Sequence, residues 1–326
     1  MDRRILWLLK LLLLVFAILF PFLFRDPYHQ HILIVAFLSA MCVYSFNIIT
    51  GMTGQLNAGL AGFVGIGAYV SALAVVELGL PFWIALLLSV SVTGLFGLFI
   101  AYPTLRVRGV YFAITTLSVG EILHLVFDNW VRVTGGPMGY TGIPAPPPLS
   151  FFGVSLDFEE KTGFYYLSLA FILLILYVNR QLFHSRLGRA MLSVKENPDL
   201  AQSVGISIAR VKIISFVIST LLLGICGSLY AHYFRVLSPI TFSLHETFRY
   251  LSMLIVGGMG TVSGPLVGAL VMTILPEFLR SIEDYQWVTY GLALMLCIIF
   301  LPEGIAGFIN KTLVQLRSGL PKEERK

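Results

Sequence analysis

Long apolar runs separated by short polar islands set the pattern of this chain. Runs over 5–24, 31–49, 60–76, 82–102, 111–127, 164–178, 213–230 and 288–301 carry few charges. Most approach the roughly 20 residues a helix needs to cross a bilayer, so each predicts a membrane-spanning helix. A further apolar stretch, 248–279, is interrupted by Gly257-Gly258-Met259-Gly260-Thr261-Val262-Ser263-Gly264-Pro265. So much glycine, followed by proline, does not continue a helix. The stretch therefore predicts two short spans or a re-entrant pair of half-helices. The expected fold class is an all-α polytopic membrane protein of about eight to ten transmembrane helices, some glycine-broken or re-entrant.

A second interruption, Gly51-Met52-Thr53-Gly54-Gln55-Leu56-Asn57-Ala58-Gly59, has the same mixture of glycine and small polar residues as 258–264. Both are approached from the same side of the membrane, so the two halves of the chain are expected to form parallel internal repeats. Backbone that leaves the helix inside a membrane must be buried in protein or line a wet cavity. Thr53, Gln55, Asn57, Thr261 and Ser263 are therefore candidates for a polar translocation path, and Glu121 of the run 111–127 is a further one. Close helix packing explains the same glycines equally well, as in Ala58-x-x-x-Gly62 and Gly260-x-x-x-Gly264-x-x-x-Gly268.

The longest polar island, 185–206, reads as folded structure. Asn197-Pro198 is a helix start, with a capping side chain followed by proline at the first helical position. Asp199 complements the positive end of the helix dipole. Leu200, Ala201 and Val204 offer a small apolar face, and Gly205 is a stop signal. Upstream, 186–196 predicts a second short helix.

Composition agrees with the pattern. Of 326 residues 57% are hydrophobic and 12% charged, half the roughly 25% of soluble domains, and mean hydropathy is +0.86. The pI of 9.1 does not indicate nucleic-acid binding, because the basic residues are scattered between the apolar runs. Of the 22, 16 sit at Arg3, Arg4 and Lys10, at Arg106 and Arg108, across 179–212, and at Lys311, Arg317, Lys322, Arg325 and Lys326. With the N-terminus cytoplasmic, counting spans places all but the last group inside. The last group joins them if 248–279 starts and ends on the outer side. Segment 179–212 is then a cytoplasmic loop, and 129–163 an external one. Trp7, Trp83, Trp130 and Trp287 fall at span ends, where amphipathic rings prefer to sit. Cys42, Cys226 and Cys297 lie singly in apolar runs and read as packing residues. The N-terminal run has no small-residue cleavage site and includes Lys10, so it is expected to be a retained span.

Several segments resemble one family. Gly188 to Tyr233, with GRAMLSVKENPDLAQSVGISIARVKIISFVIST followed by GICGSLYAHYFRVLSP, is similar to the cytoplasmic loop and next span of permease subunits in ABC importers for branched-chain amino acids, the LivM type. Phe63-Val64-Gly65-Ile66-Gly67-Ala68-Tyr69, Leu105 to Ile122, Thr134-Gly135-Gly136-Pro137 and Gly257 to Glu277 resemble the same permeases. One departure is Asn57-Ala58-Gly59-Leu60, where the family more usually reads Ser-Leu-Gly-His. The resemblance implies one transmembrane permease domain over 1–326 in a bacterial cytoplasmic (inner) membrane, with no cofactor of its own. It implies two ABC ATPase subunits, a second homologous permease and a periplasmic or extracellular substrate-binding protein as partners. In the family the loop carries a coupling helix seated in the ATPase. That role falls here on Gly188, Arg189, Glu196, Asn197, Pro198, Ala201 and Gly205. Related permeases move urea, amides or aromatic acids, so these stay open as substrates.

Glu121, His124 and Asp128 share one helix face. An acid at mid-membrane costs roughly 3 kcal/mol on insertion scales, so Glu121 is expected to face the interior and anchor its span to a neighbour. A proton-coupled secondary transporter running on these three residues is the rival from another class. Metal binding would need a second Glu-x-x-His motif and more glutamates. The chain has no Gly-Lys dipeptide for a Walker phosphate cradle and no Gly-x-Ser-x-Gly elbow, and His245-Glu246 lacks the second histidine of a zinc protease motif. No engine of its own is visible.

The topology is open to direct test. In a background without native cysteines, Ser281→Cys and Ser318→Cys should be labelled by an impermeant maleimide from opposite sides of the membrane. Labelling of both from one side would overturn the assignment.

Overall fold

The computed structural model describes residues 3–24, 26–104, 109–151, 154–278, 291, 295, 299–300 and 304–308. Most of the expected span 288–301, with Trp287, Cys297, Arg106, Arg108, Ser281, Ser318 and the basic residues from Lys311 onward, lies outside them, as do the side chains of Arg3, Arg4, Trp7 and Lys10. The chain is mostly helical: α1 Arg3–Leu23, α2 Pro27–Phe46 running on into a π turn Asn47–Met52, α3 Leu60–Val76, α4 Phe82–Thr104, α5 Val110–Asn129, α6 Val131–Thr134, α7 Lys161–His184, α8 Arg186–Glu196, α9 Pro198–Ser203, α10 Ile208–Phe234, α11 Leu244–Gly257 and α12 Gly264–Phe278. Among the described residues five helical stretches are long and apolar enough to span a membrane: Pro27–Met52, α4, α5, α7 and α10. Leu14–Leu23, α3 and Gly264–Glu277 are shorter apolar helices.

The apolar runs predict these helices closely, and α3 coincides with its run. α7 extends past 164–178 at both ends, because Lys161, Asn179 and Arg180 end an apolar count without ending a helix. The interrupted stretch resolves into two half-helices of 14 and 15 residues, α11 and α12. At 1.5 Å per residue each is about 22 Å long, short of the roughly 30 Å bilayer core. They pack antiparallel, so closely that a methyl group on Gly268 would lie 1.9 Å from the Met253 carbonyl oxygen.

Burial separates centre from periphery. Of the apolar stretch in Pro27–Met52, 83% is buried, against 22% for α5. A helix that is hydrophobic all round belongs in the middle, and α2 packs against α7, α10, α11 and α12. α3, α4 and α10 form the tightest group through small residues. Ser89 Oγ–H is shared between the carbonyls of Gly67 (2.8 Å) and Gly224 (2.9 Å), tying all three helices together. Such contacts suit a membrane, where lipid leaves packing and hydrogen bonds to hold helices together.

The 130–160 excursion closes one end of the bundle. β1 Tyr140–Thr141 pairs antiparallel with β4 Val236–Leu237, while β2 Leu149–Phe151 and β3 Val154–Leu156 form a hairpin. His232 Nδ1–H donates to the Pro144 carbonyl at 2.7 Å, which leaves Nε2 to accept from Ser71 Oγ at 3.1 Å. Tyr140 donates to Glu77 at 2.9 Å, and burial together with that carboxylate pushes its phenol up to about 12. α8 and α9 occupy the opposite end.

Gly227 tests the packing. A methyl group there would meet the Val64 carbonyl oxygen at 2.2 Å. Gly227→Val should force α3 and α10 apart at a cost of about 1–3 kcal/mol, read as a lowered Tm in detergent. An unchanged Tm would refute the close approach.

Candidate functional site

The two glycine-rich interruptions meet. α2 changes from α to π winding at Asn47, a change frequent at functional positions. The Asn47 carboxamide then reads the tip between α11 and α12 as a backbone strand would. Its Oδ1 accepts from Gly260 N–H at 2.8 Å, and its Nδ2–H donates to the Thr261 carbonyl at 3.0 Å. Three residues earlier, one turn back, Tyr44 donates its hydroxyl to the Val262 carbonyl at 2.9 Å. Position 51 has to be glycine, since a side chain would strike Asn47 Oδ1 at 1.9 Å and Gly260 N at 2.7 Å. The tip secures itself as well: Thr261 Oγ1 donates to the Gly258 carbonyl and accepts from Gly264 N–H.

Of the proposed path residues, Thr261 and Thr53 belong to this junction. Thr53 is buried and donates to the Ile49 carbonyl at the end of the π turn. Gln55 is half-buried, its backbone bonded to Thr50 and Ile49. Ser263 is exposed at the start of α12. Asn57 is fully buried and turned toward α5, where its Oδ1 accepts from Gly59 N–H while Thr116 Oγ1 accepts from Ala58 N–H.

Glu121 departs from expectation. It is exposed on α5, with no hydrogen-bond or ion-pair partner among the described residues. α5 uses Phe112, Thr116, Leu123 and Phe127 to pack against its own chain, and Glu121 lies off that face. A carboxylate in a membrane span avoids lipid, and none of the described residues supplies the expected anchor. His124 Nδ1–H donates to the Pro239 carbonyl at 3.0 Å, and Asp128 is half-buried.

The 185–206 segment folds as its capping residues dictate. Ser185 caps α8 by accepting from Gly188 N–H, and Gly188 is pressed so closely on the α7 terminus that a methyl would meet the Leu182 carbonyl at 2.1 Å. Arg189 donates to the His184 carbonyl across the same junction. Glu196 ends α8 and is exposed. Asn197 Oδ1 accepts from Leu200 N–H at 3.0 Å, and Pro198 opens α9. Gly205, at φ +87°, closes it: Ile206 N–H reaches the Ala201 carbonyl and Gly205 N–H that of Gln202. The expected apolar face divides in two. Ala201 is 3% exposed and turns into the chain, whereas Leu200 (64%) and Val204 (71%) turn out. The sequence shows a single face because six residues make too few turns to reveal which side is covered.

One contact joins this segment to the junction. Lys195 Nζ donates to the Gly51 carbonyl at 2.7 Å and lies beside Gly260. A cation is favoured at such a helix C-terminus. Sequence reasoning treated Lys195 only as a positive charge and passed over Asn47 and Tyr44. Asn47 carried a visible signal, an amide inside an otherwise apolar run.

Comparison with known proteins adds the family. Residues 29–301 match the model of the branched-chain amino acid transport system / permease component. The chain is 31% identical to the high-affinity branched-chain amino acid transport system permease protein LivM of Salmonella typhimurium and 30% identical to that of Escherichia coli K12. Both matches cover 96% of this chain and 77% of the relative. The probable branched-chain amino acid transport permease protein LivH of Methanocaldococcus jannaschii is 27% identical over 63% of this chain and 66% of its own length. No solved structure matches.

The junction predicts a local effect. Asn47→Ala leaves Gly260 N–H and the Thr261 carbonyl without their partner, at about 1–3 kcal/mol for each group. Amide exchange at 258–263 should accelerate while α3 and α10 stay protected. Unchanged exchange at the tip would show that Asn47 does not hold it.

Proposed function

Because the chain belongs to the family of branched-chain amino acid transport permease components, we propose that it is the transmembrane permease subunit of an ABC importer for branched-chain or other hydrophobic amino acids. It is a multi-pass membrane protein and a transport component, not an enzyme. In the proposed assembly two ABC ATPase subunits hydrolyse ATP, a second homologous permease completes the pore, and a periplasmic or extracellular binding protein delivers the substrate. The host membrane is the bacterial inner membrane. Segment 179–212 faces the cytoplasm and 129–163 the outside. The full count is about eight to ten spans, with the two interrupted segments related as repeats.

The observation that carries this reading is the line of contacts from α9 to the interrupted backbone. Leu200 and Val204 project apolar side chains from a short capped helix, the shape that fits a cleft in a partner. α8 leads from there to Lys195 and the Gly51 carbonyl, and Asn47 continues the line to the tip at Gly260. A displacement of α8 and α9 by ATPase closure thus reaches both glycine-rich interruptions through hydrogen bonds. Glu121 fits the same assembly if the second permease or a wet route covers α5, because either gives a mid-membrane carboxylate a polar neighbour.

The partner-facing residues are Leu200 and Val204. Ala201→Arg would probe folding instead, since Ala201 is covered by its own chain. Leu200→Asp with Val204→Asp should remove about 3 kcal/mol of apolar burial, roughly a hundredfold in affinity, and the ATPases should be lost on affinity purification. Lys195→Met should keep the ATPases bound yet lose most substrate-stimulated uptake. Full uptake by both variants would mean that this segment does not couple ATP hydrolysis to transport.

A further inference from the structure

A cavity of about 160 Å³ lies between α2, α10 and α11. Leu38 and Cys42 of α2 and Cys226 and Phe234 of α10 give it an apolar wall, while Glu246 and Arg249 of α11 bring one charge of each sign to its edge. The two charges are one helical turn apart, with Arg249 Nη2 2.7 Å from Glu246 Oε2 and side chains 37% and 18% exposed. The Arg249 guanidinium also sits 5.6 Å from the Tyr250 ring centre. Cys226 is eight residues from the end of α10 at Phe234, about 12 Å inside the bundle.

The pair lies in the first two turns of α11, and an ion pair between neighbours on one helix adds little to stability. An apolar pair of similar volume would hold α11 to α2 as well or better. Intramembrane ionisable residues that face a cavity mark ligand routes.

We infer that this cavity binds the zwitterion of an α-amino acid with a short aliphatic side chain. The Glu246 carboxylate accepts from the ligand ammonium, and Arg249 donates to the ligand carboxylate. Both ligand charges then join the existing pair as a four-charge ring, and no charge is left without an opposite. The aliphatic side chain lies against Leu38, Cys42, Cys226 and Phe234. The volume holds about five waters, which suits one small amino acid and is below the roughly 300–1,000 Å³ of sites for larger ligands. A carboxylic acid alone or an amine alone would meet one member of the pair as a repelling charge.

A larger cavity of about 360 Å³ opens beside the 130–160 excursion, lined by charged groups of both signs that include Glu159, Lys161 and Arg235. Phe234 lines both cavities and is the partition between them. A zwitterion entering the mixed-charge mouth passes Phe234 to reach Glu246 and Arg249.

This inference rests on the proposed transport function, and the experiment separates the two. The complex with its ATPases and binding protein is placed in liposomes, and ATP-driven uptake of radiolabelled L-leucine is measured. No uptake by the unaltered complex means that the transport reading itself fails. Given uptake, Glu246→Gln and Arg249→Gln should each lower it by about tenfold or more in complexes that still co-purify, and Leu38→Trp, which fills the cavity, should do the same. With Val35→Cys on the cavity wall as the sole cysteine, L-leucine should slow methanethiosulfonate labelling, whereas 4-methylpentanoate and isoamylamine should not. If the charge variants fail to assemble, Leu38→Trp and the labelling decide. Uptake at the unaltered rate in Leu38→Trp, or labelling indifferent to leucine, would overturn the site.

Discussion

The carboxamide of Asn47 holds two pieces of interrupted backbone to each other, and much of the chain is arranged so that it can. Inside a bilayer no water is present to satisfy N–H and C=O groups that leave a helix. The tip between α11 and α12 and the turn after α2 both contain such groups. Each supplies part of the other's surroundings: Asn47 and Tyr44 pair with the tip, and Gly51 leaves room for its approach. That arrangement explains why α2 is so deeply buried. A helix that must present an amide to a neighbouring break has to lie in the centre of the bundle.

The same shortage of water governs the charges. Lys195 reaches in from the helical segment at one end and ends on a backbone carbonyl, a neutral partner that a moving element can hold or release. Glu246 and Arg249 stay close to each other beside a cavity. Glu121 looks away from the packing of the described residues. Three acidic or basic sites are thus handled in three ways, and only the Glu246–Arg249 pair is balanced within one helix. In the proposed importer these correspond to a coupling contact, a face toward another subunit, and a place for the cargo.

Two groups of helices pack through small residues. α3, α4 and α10 meet at glycine and serine. α11 and α12 approach each other as closely and lie against α2, and the turn between them is held by three side-chain hydrogen bonds from Tyr44 and Asn47. In the proposed importer a force delivered through α8 reaches that turn by way of Lys195 and Gly51.

The sequence by itself determined where the helices lie, their capped ends in 185–206 and the interruptions. Apolar runs of near-membrane length leave few alternatives, and Asn197-Pro198 and Gly205 act on backbone within a few residues of themselves. The 185–206 segment was legible for that reason. The membrane class and the family resemblance followed from the same local signals. Tertiary structure alone decided which interruption faces which, that Ala201 turns inward while Leu200 and Val204 turn out, and that Glu121 has no partner among the described residues. It also turned Glu246, read from sequence only as half of an incomplete zinc motif, into one wall of a cavity. These outcomes depend on contacts between residues up to 218 positions apart, as between Tyr44 and Val262. Periodicity and capping act over one or two turns of helix, so no local pattern carries them.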